Sequence, residues 1–336
     1  MSKRPTIHDV AERAGVSKSL VALVFKSETG VSAKRREVVL KAAKELGYTP
    51  NAWASALRSG NNGFVGIIVA DFHNPLFTEF ADLARKAFAA RGVFSFVATT
   101  SVSIEDGIEV IDPVPIQHLL DLKPGSILLV GDLVGYGPFT KVQKQIPVVQ
   151  VLSTQNELDT VVAVRSDENS ALKQLLEHVA SLGHRDVVFI GPDSLQVGVE
   201  RKAYFEKHAK RLKLKTSVIS TGSGKDEASG LAGGLAAIAL KPTAIVCYND
   251  NIAFGVQDAL ERTKTKAAVT GYDNTFVGAL ERISLTSIDQ DKESIILKVL
   301  ELLSNEQFFQ EHLGNEIKIH PRLVIRRSSM GNLTKR

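Results

Sequence analysis

Thr6-Ile7-His8-Asp9-Val10-Ala11-Glu12-Arg13-Ala14-Gly15-Val16-Ser17-Lys18-Ser19-Leu20-Val21 stands near the start of the sequence. Two helices joined by a tight turn and crossing at about 90–120° need a small residue where they touch and a glycine in the turn. They also need a branched apolar residue on the second helix. Ala11, Gly15 and Val21 meet these requirements in the right order, so a helix-turn-helix is predicted. Thr6 and Asp9 form a looser capping box at its start, and Ile7, Val10, Ala11 and Ala14 share one helical face. Ser17 caps the second helix, which carries Leu20, Val21, Val24 and Phe25. Ser32 caps a third that runs to Leu46, with Val38, Val39, Ala42, Ala43 and Leu46 inward and Gly47 in the position of a C′ glycine.

Charge singles out the same segment. Residues 1–60 hold 11 Lys and Arg against 5 Asp and Glu, a net +6, while the rest of the 336 residues carries −2. A basic head on a near-neutral body suits a polyanion-binding module attached to a body with another task. The helix-turn-helix spacing makes double-stranded DNA the expected polyanion.

The remaining composition excludes several classes. Hydrophobic residues make up 44% and charged residues 23%, too apolar for a disordered chain. No apolar run approaches the roughly 20 residues of a membrane span, and Lys3-Arg4 is not followed by the apolar core of a signal peptide. A cytoplasmic protein without a membrane partner is expected. The single cysteine, Cys247, allows neither an internal disulfide nor a multi-cysteine metal site, and the eight histidines lack ligand spacing, so neither metal nor cofactor is expected. Gly222-Ser-Gly-Lys-Asp226 is not a phosphate-binding loop and Gly131-Asp-Leu-Val-Gly-Tyr-Gly137 is not a dinucleotide fingerprint, so no enzyme is predicted.

From Phe64 onward β-rich runs alternate with helical stretches. Strands are predicted at Phe64–Ala70, Val93–Ala98, Ile127–Val130, Val148–Leu152, Val161–Val164, Val187–Ile190, Ser217–Ser220, Ala244–Tyr248, Ala267–Thr270 and Ser284–Ile288. Helices are predicted at Glu79–Arg91, Asn169–Leu182, Glu200–Leu212, Ala228–Leu240 and Asn251–Lys264. The alternation implies parallel sheets covered on both faces, and ten strands suit two sheets better than one. Such sheets bind ligands at the carboxyl ends of their strands. That rule points to Asp71-Phe72-His73-Asn74-Pro75, Asn249-Asp250 and Asp273-Asn274, with Asp250 read as a helix cap.

These motifs, with Val31-Ser32, Glu45-Leu46-Gly47-Tyr48-Thr49-Pro50-Asn51-Ala52, Gly183-His184-Arg185, Thr286-Ser287-Ile288-Asp289-Gln290 and Pro321-x-Leu323-Val324-x-Arg326, resemble the lactose-repressor (LacI/GalR) family along almost the whole chain. The resemblance implies an α-helical helix-turn-helix head at 1–49 and a hinge helix and linker at 50–62. An α/β body at 63–330 follows, built of two Rossmann-like subdomains of periplasmic-binding-protein type. The N-subdomain is expected at 63–163 and 290–319, the C-subdomain at 164–289 and 320–330. A homodimeric repressor on a palindromic operator is implied, controlled by a small molecule, a sugar or related polyhydroxylated compound, in the body's cleft. A small-molecule-binding protein whose head serves a partner other than DNA is the alternative.

By that resemblance Lys18 and Ser19 face base edges or phosphates and Ser17 contacts a phosphate. Leu57 is a minor-groove wedge or packs the linker, and Thr6, Leu23, Lys26, Asn51 and Ala54 complete the DNA-facing set. Leu20-Val21-Ala22-Leu23-Val24-Phe25-Lys26 lacks two hydroxyls and an arginine common in the family, so the operator is expected to be atypical there. In the body, Arg201 and Asp273 are the implied grips on ligand hydroxyls, with Asp71, Phe77, Asn249 and Gln290. A surface ion pair for Arg201 and a loop bond for Asp273 stay open. Residues 101–122 and the basic connection 261–266 depart from the family pattern.

Overall fold

The alternation of β-rich and helical stretches resolves, in a computed structural model, into a helical unit before residue 62 and an α/β unit after it. The structure describes residues 5–26, 30–49, 63–99, 102–105, 108–132, 139–153 and 160–330.

The head contains α1 (Ile7–Ala14), α2 (Lys18–Lys26) and α3 (Ala33–Leu46). Their ends follow from local chemistry. The capping box is complete: Thr6 Oγ1 accepts from the Asp9 N–H at 3.4 Å and the Asp9 carboxylate accepts from the Thr6 N–H at 2.7 Å. Gly15 and Gly47 take left-handed φ values of 65° and 64°, closing α1 and α3. Ser17 Oγ accepts from the Leu20 N–H at 3.2 Å. Ser32 stands at the N-cap of α3, but its hydroxyl makes no capping bond. Val10, Ala11, Val21, Val24, Val39, Ala42 and Ala43 form the core. Val38 is 44% exposed, contrary to expectation. Consecutive Val38 and Val39 lie about 100° apart on a helix, and only Val39 turns towards α1 and α2. Arg13 reaches from α1 to Glu45 of α3 at 2.8 Å, and Arg36 donates to the Val24 carbonyl at 3.0 Å.

The body's first sheet holds β1 (Phe64–Val69), β2 (Phe94–Thr99), β5 (Ser126–Val130), β6 (Val148–Val151), β7 (Val162–Ser166) and β13 (Glu316–Ile319), in the order β13-β7-β6-β5-β1-β2, all parallel. The second holds β8 (Asp186–Gly191), β9 (Lys215–Ser220), β10 (Ala244–Cys247), β11 (Ala268–Tyr272), β12 (Thr286–Asp289) and β14 (Arg322–Val324), ordered β14-β12-β11-β10-β8-β9. The parallel expectation fails at one edge, where β14 runs antiparallel to β12. The interior strands are buried on both faces and read as continuous apolar runs. All ten predicted strands are present with ends shifted by one or two residues. The short strands β13 and β14, and an antiparallel hairpin of β3 (Val102–Glu105) and β4 (Ile108–Ile111), lay outside that prediction.

Helix α4 (Pro75–Ala89) begins four residues before its predicted start, because Asn74 caps it through the Leu76 N–H and Pro75 fits its first position. Then come α5 (Val114–Asp121), α6 (Phe139–Val142), α7 (Glu168–Ser181), α8 (Gln196–Arg211), α9 (Glu227–Ile238), α10 (Asp250–Thr263), α11 (Phe276–Ala279), α12 (Lys292–Ser304) and α13 (Glu306–Glu311). The chain leaves the first sheet after β7, returns through α12, which packs on α4, β6 and β7, and leaves again after β13. These crossings bring the carboxyl ends of the two sheets to one seam.

Gly131, just past β5, shows how tightly the seam is packed. Its φ is 89°, and a Cβ there would stand 2.6 Å from the Phe77 ring. Gly131→Ala is expected to cost about 2–4 kcal/mol from backbone strain plus overpacking. Adding Phe77→Ala should recover the steric part alone. Thermal or urea unfolding of the two variants measures both.

Candidate functional site

Residues that follow the strand ends furnish the seam. Arg201 projects from α8 and is 5% exposed. A buried guanidinium must be paired, and this one is paired entirely within the protein. Its Nε and Nη2 donate to Glu168 at 2.9 and 3.3 Å, and its Nη1 donates to the Tyr248 carbonyl at 2.6 Å. The guanidinium carbon lies 3.5 Å from the centroid of the Tyr272 ring and 4.7 Å from that of Tyr248. The ion pair left open by the sequence is therefore real but buried.

Asp273 follows β11 with a φ of 113° and is 4% exposed. Its Oδ1 accepts from Gln290 Nε2 at 2.8 Å. Burial pushes its pKa well above the carboxylate range, opposed by nearby Arg201 and reinforced by the neighbouring Asp250. Gln290 also meets Ser166 of the first sheet at 3.2 Å, and Ser166 lies 2.9 Å from the Tyr272 hydroxyl, so the network spans both sheets. Asp132, after β5, is bonded by the Ser153 hydroxyl, and desolvation raises its pKa too. Asp132, Asp273 and Glu168 all act on the Tyr248 phenol, whose pKa burial drives up.

Two further contacts cross the seam. Arg165 of β7 forks onto Glu200 of α8 at 2.7 and 2.8 Å. Glu79 of α4 accepts from the Phe276 N–H at 2.8 Å and pairs with Lys292 at 3.1 Å.

The other expected ligand residues divide. Phe77 packs on Gly131 at the end of β5, and Asp71 follows β1 and accepts from the His73 N–H at 2.8 Å. Asn249 is spent on structure: its Oδ1 caps α10 through the Ile252 N–H and its Nδ2 donates to the Lys225 carbonyl. The cap assigned to Asp250 thus belongs to Asn249. Asp250 instead accepts from the Thr275 N–H and hydroxyl and from Ser287, tying α10 to β12. Glu168, Asp132, Tyr248 and Tyr272 escaped the sequence reading. Asp132 could have been found, since it follows a predicted strand just as Asp71 and Asp273 do. The pairing of Glu168 with Arg201 left no local trace.

In the head, Ser17 just before α2 and Lys18, Ser19, Ala22 and Leu23 along it are all exposed, while Val21 and Val24 face the core. Thr6 is exposed with its hydroxyl engaged in the capping box. Lys26 ends α2. Asn51, Ala54 and Leu57, and the rest of the expected hinge, lie outside the described residues, as does the Lys26 side chain. Among the described residues no helix is long and apolar enough to cross a membrane, and no cluster of His, Cys, Asp and Glu could hold a metal ion.

Residues 6–51 match the family model of bacterial regulatory proteins, lacI family, and residues 176–329 match the periplasmic binding protein-like domain. The chain is 30% identical to the maltose regulon regulatory protein MalI of Escherichia coli K12, over 82% of this chain and 80% of that protein. It is 26% identical to the transcriptional repressor PurR of Pasteurella multocida, over 98% and 99% of the two chains. Its fold matches that of the lac repressor dimer bound to operator and the anti-inducer ONPF, with a TM-score of 0.77 and 21% identity over 98% and 100%.

The buried Asp273 makes stability depend on pH. At low pH it is protonated in both the folded and the unfolded chain. Above about pH 4 the unfolded carboxyl ionises freely while the folded one resists, so native stability falls as pH rises towards the folded pKa. Asn keeps the acceptor for Gln290 without titrating. The melting temperature of Asp273→Asn is therefore expected to gain on the wild type steadily between pH 5 and 8. A gap independent of pH in melting curves contradicts this assignment.

Proposed function

The chain belongs to the LacI family of bacterial regulatory proteins, and from that premise we propose that it is a sequence-specific, DNA-binding repressor of transcription controlled by a small molecule. The observation that carries this reading is the exposed face of α2. Lys18, Ser19 and Leu23, with Ser17 just before them, project from a helix whose other face is anchored on Val10, Ala11 and Val39, on a segment of charge +6. A lysine can donate to guanine O6 and N7 or to a phosphate, a serine to several base edges, and a leucine can meet only a thymine methyl. Thr6, Lys26, Asn51 and Ala54 complete the DNA-facing set, with Leu57 as a wedge in the minor groove. Two copies of the chain read the halves of a palindromic operator in the cytoplasm.

The effector, a sugar or similar polyhydroxylated metabolite, binds at the seam between the two sheets. Arg201, Asp273 and Gln290 form its polar centre, with Asp71 and Phe77 towards the first sheet. Tyr248, Tyr272, Glu168 and Asp132 join this set, and Asn249 leaves it for its capping role. A bound molecule changes operator affinity only through its different affinity for the two subdomain arrangements. The contacts that register such a change are Arg165 with Glu200 and Glu79 with Lys292 and Phe276.

Fluorescence anisotropy on a palindromic operator selected from genomic fragments tests the head. Affinity is expected to fall by about a thousandfold or more between 50 and 200 mM salt. Lys18→Ala should weaken binding. A salt slope lowered by about one with unchanged base preference assigns Lys18 to phosphate, and relaxed preference at one base pair assigns it to a base edge. Salt-independent binding, or none at low salt, refutes the reading.

A further inference from the structure

The seam's arginine is already neutralised, and that limits what the seam can hold. Resting on the reading of the seam as the effector site, we propose that the effector carries no anionic group: it is a neutral or amine-bearing polyol, and Glu168 is the residue that excludes phosphorylated and carboxylated compounds.

The charges at the strand ends carry the argument. A guanidinium fork recognises a ligand carboxylate or phosphate by presenting two parallel N–H groups to it. In Arg201 the Nε and Nη2 edge faces Glu168, which is itself 3% exposed. Glu168 thus stands as a permanent internal ligand where an effector's anion would sit. The third nitrogen is held by the Tyr248 carbonyl, and the Tyr272 ring lies 3.5 Å from the guanidinium carbon. Arg165 is committed in the same way, forked onto Glu200 and 3.3 Å from Glu316. Lys292 is held by Glu79 and by the carbonyls of Asp273 and Asn274.

The acids outnumber these committed cations. Asp273 gives one oxygen to Gln290, and its other oxygen has no donor among the described residues. Asp132 likewise accepts from Ser153 on one oxygen, and its other oxygen has no donor among the described residues. The half-buried Lys225 is the one cation near Asp132 that is not held by a carboxylate among the described residues. A ligand anion entering here loses its hydration, meets an arginine whose field Glu168 cancels, and faces two carboxyl groups. Ligand hydroxyls can both accept from and donate to these two carboxyl groups, which burial holds towards their protonated form, and an ammonium can pair with the ionised form.

The test is a charge-matched panel measured by calorimetry and thermal shift on the full chain. It comprises neutral hexoses and pentoses, their amino derivatives, their terminal phosphates and the corresponding sugar acids. For any framework that binds, the phosphate and the acid are expected to bind at least about tenfold more weakly than the neutral or amino parent. Glu168→Gln keeps the shape of the side chain and removes its charge. It should close most of that gap by improving anion binding without improving neutral binding, and operator binding serves to confirm that the variant is folded. Should Glu168→Gln not fold, the wild-type ranking decides on its own. An anion-first ranking in the wild type overturns the inference and leaves a small-molecule site at the seam standing. Absence of binding by every framework overturns both together.

Discussion

A guanidinium stripped of water has to be answered by its surroundings, and Arg201 imposes that demand at the junction of the two sheets. An unpaired buried charge costs several kcal/mol, so its neighbours must bring a carboxylate, carbonyls and aromatic faces to within about 3–5 Å. Glu168 comes from the start of α7, Tyr248 follows β10, and Tyr272 ends β11. Holding these groups at once fixes how the strand ends of the second sheet meet. Ser166 and Gln290 then carry the constraint to β7 and to the crossover after β12. The same pairing that stabilises the seam takes away its power to attract an anion.

Head and body solve different problems. The head has too few residues for a large core, so it relies on seven buried apolar side chains, a full capping box, two glycine caps and the Arg13–Glu45 tie between α1 and α3. That economy leaves one face of α2 free of structural duty. The body buries whole strands, so its polar groups can collect only where strands end, and its chemistry gathers at the seam.

Much of this was legible in the residues alone, and the failures share a cause. The capping box, both glycine caps and the helix-turn-helix spacing depend on residues close in sequence, and the ten predicted strands show as short apolar runs, so a linear pattern records them although the strands' pairing partners lie far off. Val38 and Val39 both fit an apolar face, and only the neighbouring helices determine which one is inward. Asn249 and Asp250 are both plausible caps, and the position of Thr275 and Ser287, more than twenty residues on, assigns them. The strands β13 and β14 are too short to announce themselves.

From its own residues the chain determines a basic three-helix reader followed by alternating strands and helices, with polar residues waiting at the strand ends. Periodicity, caps and turns are local, and local physics suffices for them. Tertiary structure alone decided that Arg201 would meet Glu168, 33 residues away, and that Asp273 would lose its water. Desolvation and charge pairing belong to the assembled surroundings of a group, and no neighbour in sequence carries that information.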